Sequence, residues 1–122
     1  MKRDLELYVT DIIESIRKIE EYTNSLTKEK FLNDTQIQDA VLWRLEIIGE
    51  AVKNVPEEIR ENYRSVPWRS LAGLRDVLIH GYFGINLERI WNFVEVDLVD
   101  LSAKMHTMRQ DLSGQGEEPN QP

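Results

Sequence analysis

Apolar residues recur every three or four positions along most of the chain, and this spacing constrains the fold more than any other feature. The first segment with this period carries Leu5, Tyr8, Val9, Ile12, Ile13, Ile16 and Ile19. Such a period places the side chains on one face of an α-helix. No segment shows the alternation of apolar and polar residues that is typical of a half-buried strand. The sequence therefore predicts an all-α protein.

Capping residues and prolines mark the expected helix boundaries. The cluster at 33–35, with Asp34 at its centre, predicts the start of a second long helix, and Pro56 predicts its end. Pro67 suits the first turn of a third helix over residues 68–79. Asn86 is expected to cap a fourth helix, whose apolar positions include Val94 and Val96. The pattern predicts an up-and-down bundle of four main helices plus short helical segments.

The length of 122 residues suits a single domain. We expect a helical domain over residues 1–112 and a disordered tail over residues 113–122, because the tail has no apolar face. The absence of cysteine excludes a disulfide scaffold, a thiolate zinc site and a cysteine nucleophile. No signal-like or membrane-spanning run is present, so we expect a cytoplasmic protein without membrane contact.

The net charge of −7 argues against a protein that coats nucleic acid, because phosphate contacts dominate such binding. It is compatible with a nuclease that binds RNA at one small site. The segment from residue 59 to 75 is locally basic, with Arg60, Arg64, Arg69 and Arg75 against Glu61. We interpret the first two arginines as members of solvated helix faces. Arg69 and Arg75 are the candidates for RNA binding.

Four residues with useful chemistry follow within eight positions: Arg75, Asp76, His80 and Tyr82. An imidazole can move a proton near neutral pH, and a guanidinium can hold a phosphate through two hydrogen bonds. Arg75 and His80 together would suffice to break an RNA phosphodiester without a metal. The alternative is structural, because a histidine near a helix C-terminus can cap carbonyl groups or favour the helix dipole.

The helical positions of these residues leave the geometry open. Arg75 and His80 are about 140° apart on an ideal helix, so Gly81 is expected to end the helix and bring Tyr82 beside His80. Asp76 lies one turn before His80, a spacing that permits side-chain contact. Its carboxylate would either support the imidazole or remain a solvated acid on the outer face.

Other candidate sites are weaker. Glu46 and Glu50 lie one turn apart but have no histidine in phase, which favours solvation or an ion pair with Lys53 or Arg44. No His pair has metal-ligand spacing, and we expect no metal or other cofactor. His106 is expected at the surface or at a helix end.

The three tryptophans, Trp43, Trp68 and Trp91, are expected to be core residues rather than platforms for base stacking. Trp68, which follows Pro67 at a helix start, is the one for which partial exposure is expected.

The motif Arg75-x4-His80-x-Tyr82 resembles that of the HepT-like proteins, a branch of the HEPN superfamily of helical ribonucleases. The resemblance extends to segments 45–51 and 66–74, then to 85–87 and Trp91. Together these segments span most of residues 5–112. Asp76 stands where the superfamily often has a polar residue after its arginine.

The resemblance implies a metal-independent endoribonuclease that acts as the toxin of a type VII toxin–antitoxin system. It implies a homodimer whose two motifs face one composite cleft, with transfer RNA as one substrate class. It further implies a nucleotidyltransferase antitoxin that transfers AMP from ATP to Tyr82. An alternative is a non-catalytic subunit that binds a nucleotidyltransferase or presents a substrate to it.

Overall fold

The computed structural model describes residues 2–80 and 85–117, and within them the side chains of residues 4–74, 76, 78 and 85–114. These residues form helices and no strand: α1 Lys2–Thr23, α2 Lys28–Leu32, α3 Thr35–Lys53, α4 Glu57–Glu61, α5 Trp68–His80, α6 Leu87–Asn92, a π-helical segment Phe93–Asp97, and α7 Leu98–Glu117. The prediction of an all-α bundle is confirmed. Among the described helices, none is both long enough and apolar enough to cross a lipid bilayer.

Local capping sets several of these boundaries. The Asp34 carboxylate accepts a hydrogen bond of 3.0 Å from the Ile37 amide at the start of α3. The Asn86 side chain accepts from the amides of Glu88 and Arg89 at 3.0 and 3.2 Å, which opens α6. Each contact satisfies amides that have no partner within their own helix. α3 ends before Pro56, and Pro56 is the N-cap residue of α4.

The core lies between the long helices. α1 packs against both α3 and α7, and α3 packs against α5. Short helix α2 is held by the Phe31 ring, whose centroid lies 5.2 Å from that of Trp91 in α6. The fully buried core side chains include Val9, Ile12, Ile16, Ile19, Phe31, Val41, Leu45, Ile48, Leu98, Met105 and Met108. The apolar stripes recognised in the sequence therefore meet in one continuous core.

The end of the chain differs from the expectation. α7 continues to Glu117, beyond Leu112, where the helical domain was expected to end. Extending an existing helix adds a hydrogen bond per residue without a new nucleation cost, so an apolar face is not required. The remainder of the expected tail, residues 118–122, lies outside the described residues.

The fourth predicted helix is also interrupted. The π-helical segment Phe93–Asp97 has more residues per turn than an α-helix and therefore changes the angular phase of the chain. Val94 is buried, whereas Val96, expected to face inward, is 61% exposed. Val96 lies two residues from Val94, and this spacing turns it to the opposite face even in an uninterrupted α-helix.

Candidate functional site

Helix α5 carries the motif, and its first turn is firmly anchored. The indole of Trp68 donates a hydrogen bond of 3.0 Å to the carbonyl oxygen of Tyr63. Trp68 is only 7% exposed, so the expectation of partial exposure was wrong. Its polar edge is satisfied by the backbone, and its ring packs into the core with Leu71. The anchored first turn sets the direction in which α5 leaves the preceding loop.

The motif residues lie at the other end of this helix. The backbone of Arg75 and that of His80 belong to α5, which ends at His80, one residue beyond the expected end. The side chains of Arg75 and His80, and all of Gly81 and Tyr82, lie outside the described residues. The expected convergence of these groups therefore stays a prediction.

Asp76 is the motif residue whose side chain is described, and it contacts α3. Its Oδ1 atom lies 2.6 Å from Nζ of Lys53, the last residue of that helix. The carboxylate is about half exposed, so it retains solvent on one side. The sequence had suggested Glu46 or Glu50 as partners for Lys53. The ion pair with Asp76 was missed because it joins residues that are distant in sequence.

The arginines near the start of α5 have separate roles. Arg60 donates to the carbonyl oxygens of Val55 and Val52 at 3.0 and 2.8 Å, so it caps the end of α3 rather than lying on a solvated face. Arg69 is exposed and lines a shallow depression with Arg64. The exposure of Arg69 is compatible with the RNA contact expected from the sequence, which stays a prediction.

A groove runs between α5 and the α6–α7 region. Its volume is about 830 Å³, and its walls include Gly73 and Leu74 from α5 and Arg89 and Phe93 from the opposite side. Lys28 also reaches this groove, where it lies 3.8 Å from Glu88. The groove thus combines an apolar floor with charges of both signs.

The remaining candidates lie elsewhere. His106 is exposed on α7, where it lines a groove of about 260 Å³ with Arg17 and Arg109. In that groove the Arg17 guanidinium, hydrogen-bonded to Glu14, lowers the pKa of the Glu14 carboxyl. Within the described part of the chain, no three His, Asp or Glu side chains are grouped so as to hold a metal ion.

The tryptophans divide into two groups. Trp91 is buried, as expected, and so is Trp68, whereas Trp43 on α3, also expected in the core, is 57% exposed. Trp43 lies two residues from both Val41 and Leu45, which are fully buried, and this spacing turns it to the opposite face of the helix. The sequence therefore did contain a signal for the exposure of Trp43, namely its two-residue spacing from Val41 and Leu45.

Residues 12–108 match the family model described as Ribonuclease HepT-like. The chain is 43% identical over 110 residues to a Thermococcus cleftensis protein named probable ribonuclease HepT, covering 90% of this chain and all of that protein. It is 42% identical over 116 residues to a Methanocaldococcus jannaschii protein named as a candidate RNase, covering 95% and 96% of the two chains.

A second Methanocaldococcus jannaschii protein is larger, and its name joins gamma-glutamylcyclotransferase to a candidate RNase. It is 43% identical over 112 residues, which cover 92% of this chain but only 50% of that protein. The chain thus spans half the length of this relative. No solved structure matches the chain significantly.

Proposed function

This chain belongs to the HepT-like ribonuclease family, and we propose that it is a metal-independent endoribonuclease toxin of a type VII toxin–antitoxin system. The family match carries the proposal, because residues 12–108 enclose Arg75, His80 and Tyr82. Transfer RNA is a candidate substrate class, taken from the family resemblance alone.

The proposed reaction follows from the chemistry of two residues. His80 accepts the proton of a ribose 2′-hydroxyl, and the resulting oxygen attacks the adjacent phosphorus. Arg75 binds the non-bridging oxygens, where negative charge increases in the transition state. The bond to the 5′-oxygen breaks, and that oxygen takes up a proton. The products are a 2′,3′-cyclic phosphate and a new 5′-hydroxyl end.

We further propose a homodimer in which the motifs of two copies face one cleft. α5 would lie near the two-fold axis, so each contact made by one copy is repeated by the other. Two half-sites would then supply the groups that a single helix separates by about 140°.

Regulation is proposed to act through Tyr82. A partner nucleotidyltransferase would form a bond between the Tyr82 phenolic oxygen and the α-phosphorus of ATP, releasing pyrophosphate. The attached AMP would place a bulky anion beside the cleft, where it would oppose RNA by steric exclusion and by like charge.

Substitution of the motif tests the catalytic proposal. His80→Ala is expected to abolish cleavage of a mixed RNA substrate, and Arg75→Lys to restore little of the activity lost in Arg75→Ala, because lysine lacks the bidentate geometry. His106→Ala is the matched control, since it removes the other of the two histidines from an exposed position on α7. Circular dichroism would verify that each variant keeps its helix content.

Full cleavage by His80→Ala would refute the catalytic proposal. Absence of cleavage by the wild-type chain would instead favour the second candidate, a non-catalytic subunit that binds a nucleotidyltransferase or presents a substrate to it. The motif itself argues for catalysis, because a chain adapted only for binding would not need Arg75, His80 and Tyr82 together.

A further inference from the structure

The ion pair between Lys53 and Asp76 joins the end of α3 to the turn of α5 that bears the motif. Its length is 2.6 Å, and its two residues are 23 positions apart. Most other ion pairs among the described side chains connect residues three or four apart within one helix. A looser pair, Lys28 with Glu88 at 3.8 Å, also joins two helices. Of these two ion pairs between helices in the described part of the chain, the Lys53–Asp76 pair is therefore the shorter.

The Lys53–Asp76 ion pair is expected to contribute little to the stability of the fold. The side chains of Lys53 and Asp76 are 36% and 53% exposed. An ion pair at that exposure contributes only about 0–1 kcal/mol, because water and salt screen it. A cation at the end of α3 would gain a similar amount from the helix dipole without any partner.

The location of the link is more informative. Among the described side chains of α5, Trp68 and Leu71 in the first turn are buried, whereas Leu74 and Leu78 are partly buried. Asp76 follows Arg75 directly and precedes His80 by one turn. The ion pair thus joins α5 to α3 at the level of the motif, in the turn that follows Leu74.

We propose that Lys53 is a positioning residue for RNA cleavage: by holding Asp76, it fixes the rotation of the helical turn from Arg75 to His80. The inference rests on the proposed function. Rotation of α5 about its axis would move both motif residues together relative to a bound phosphodiester. A misplacement of about 1 Å can lower a rate by roughly 100-fold.

A double-mutant cycle tests whether Lys53 acts through Asp76. Lys53→Met and Asp76→Asn are each expected to lower kcat by roughly 10- to 100-fold with little change in KM, because the groups are misaligned rather than lost. The double variant should be no slower than the slower single variant. Lys53→Arg should restore most of the rate, since it can contact the same carboxylate.

Lys18→Met is the matched control. Lys18 is 33% exposed and lies 3.9 Å from Glu21 on α1, so its removal changes the net charge by the same amount at a similar exposure. It should leave kcat and KM unchanged. A rise in KM without a fall in kcat for Lys53→Met would indicate simple charge loss and would overturn the positioning role. Additive effects of Lys53→Met and Asp76→Asn would overturn it as well.

Hydrogen exchange of the free protein provides a readout without RNA. Amides in the second half of α5 should exchange faster in Lys53→Met and in Asp76→Asn, but not in Lys18→Met. Unchanged exchange would refute the proposal that the ion pair fixes the position of α5.

A wild-type chain that cleaves no RNA would refute the proposed function, and with it any positioning role. Wild-type cleavage with an unchanged kcat in Lys53→Met would refute the role of Lys53 alone.

Discussion

The hydroxyl of Tyr63 donates a hydrogen bond of 2.7 Å to Oδ2 of Asp111, 48 residues later in the chain. A second tie lies nearby, where Lys104 Nζ donates to the carbonyl oxygen of Ser65 at 2.7 Å. Both connect the loop before α5 to α7. Because Trp68 also donates to the Tyr63 carbonyl, this loop is held from two directions, and the start of α5 is fixed with it.

The Tyr63 contact predicts a measurable titration. Burial, together with the hydrogen bond to Asp111, raises the pKa of Tyr63 to about 12. An unfolded tyrosine titrates near pH ~10. The folded state therefore holds this proton more tightly, so the stabilisation is complete below about pH 10 and is lost as the pH rises towards 12. Phenolate absorbance should show a late-titrating component that is absent in Tyr63→Phe.

Asp111→Asn serves as the control for this assignment. It keeps an acceptor oxygen but removes the negative charge, so the pKa of Tyr63 should fall relative to the wild type. Tyr63→Phe should also lower the free energy of unfolding at neutral pH by roughly 0.5–1.5 kcal/mol, the contribution of a single hydrogen bond. Identical alkaline titration of the wild type and Tyr63→Phe would contradict the raised pKa.

The fold could be predicted largely because its determinants are local. Asp34 and Asn86 cap helices through amides two or three residues away, and such contacts are visible in the sequence. The π-helical segment was not predicted, because the same apolar residues fit an uninterrupted α-helix. Val96 was placed incorrectly because it was counted as an inward apolar residue although it lies two positions from Val94, on the opposite face of a helix.

The candidate site was predicted less completely. The sequence placed Arg75 in a helix expected to end at residue 79, and α5 extends one residue further to include His80. The partner of Asp76 depends on the offset and rotation of α3 against α5, which no local pattern specifies. Lys53 therefore could not be assigned before the helices were placed. Arg60 was missed for the same reason, since its acceptors lie at the end of another helix.

Metal independence can be tested with chelator. Cleavage should persist in excess EDTA, because the proposed mechanism assigns proton transfer to His80 and charge stabilisation to Arg75. The measurement is the initial rate on a short RNA, with a magnesium-dependent nuclease as the reference reaction. Loss of activity that Mg²⁺ or Mn²⁺ restores would contradict the mechanism and direct attention to Glu46 and Glu50.

Gly73 gives a test of the proposed dimer. It lies in the middle of α5, and no described atom apart from its chain neighbours and the backbone of the same helix lies within 4 Å of the position that a Cβ would occupy. Gly73→Ala should therefore add helix propensity without a clash inside the protomer, a gain of up to about 1 kcal/mol. If α5 approaches a second copy closely at this position, the same methyl group should weaken the dimer.

Two measurements separate these effects. Chemical denaturation at low protein concentration reports protomer stability, and sedimentation equilibrium reports dimer dissociation. Gly73→Phe should shift sedimentation further towards the monomer, whereas Ala103→Phe, at an exposed position on α7, should not. An unchanged dissociation constant for Gly73→Phe would place the dimer interface elsewhere.

Tyr82 provides the test of regulation. When the chain is co-produced with a partner nucleotidyltransferase, intact-mass spectra should show the addition of one or more AMP units, and the modified protein should not cleave RNA. Tyr82→Phe removes the oxygen that accepts AMP but keeps the ring, so it should remain unmodified. It should also be toxic in cells that contain the partner, if cleavage does not require the hydroxyl. In vitro cleavage by unmodified Tyr82→Phe measures that requirement directly.

Tyr63→Phe is the matched control, because it removes a phenolic oxygen that already donates to Asp111 and whose raised pKa makes it a poor nucleophile at neutral pH. It should be modified and silenced like the wild type. Peptide mapping would locate the added AMP. AMP on a residue other than Tyr82 would refute the proposed switch. Silencing of Tyr82→Phe by the partner without modification would instead show that tight binding alone neutralises the toxin.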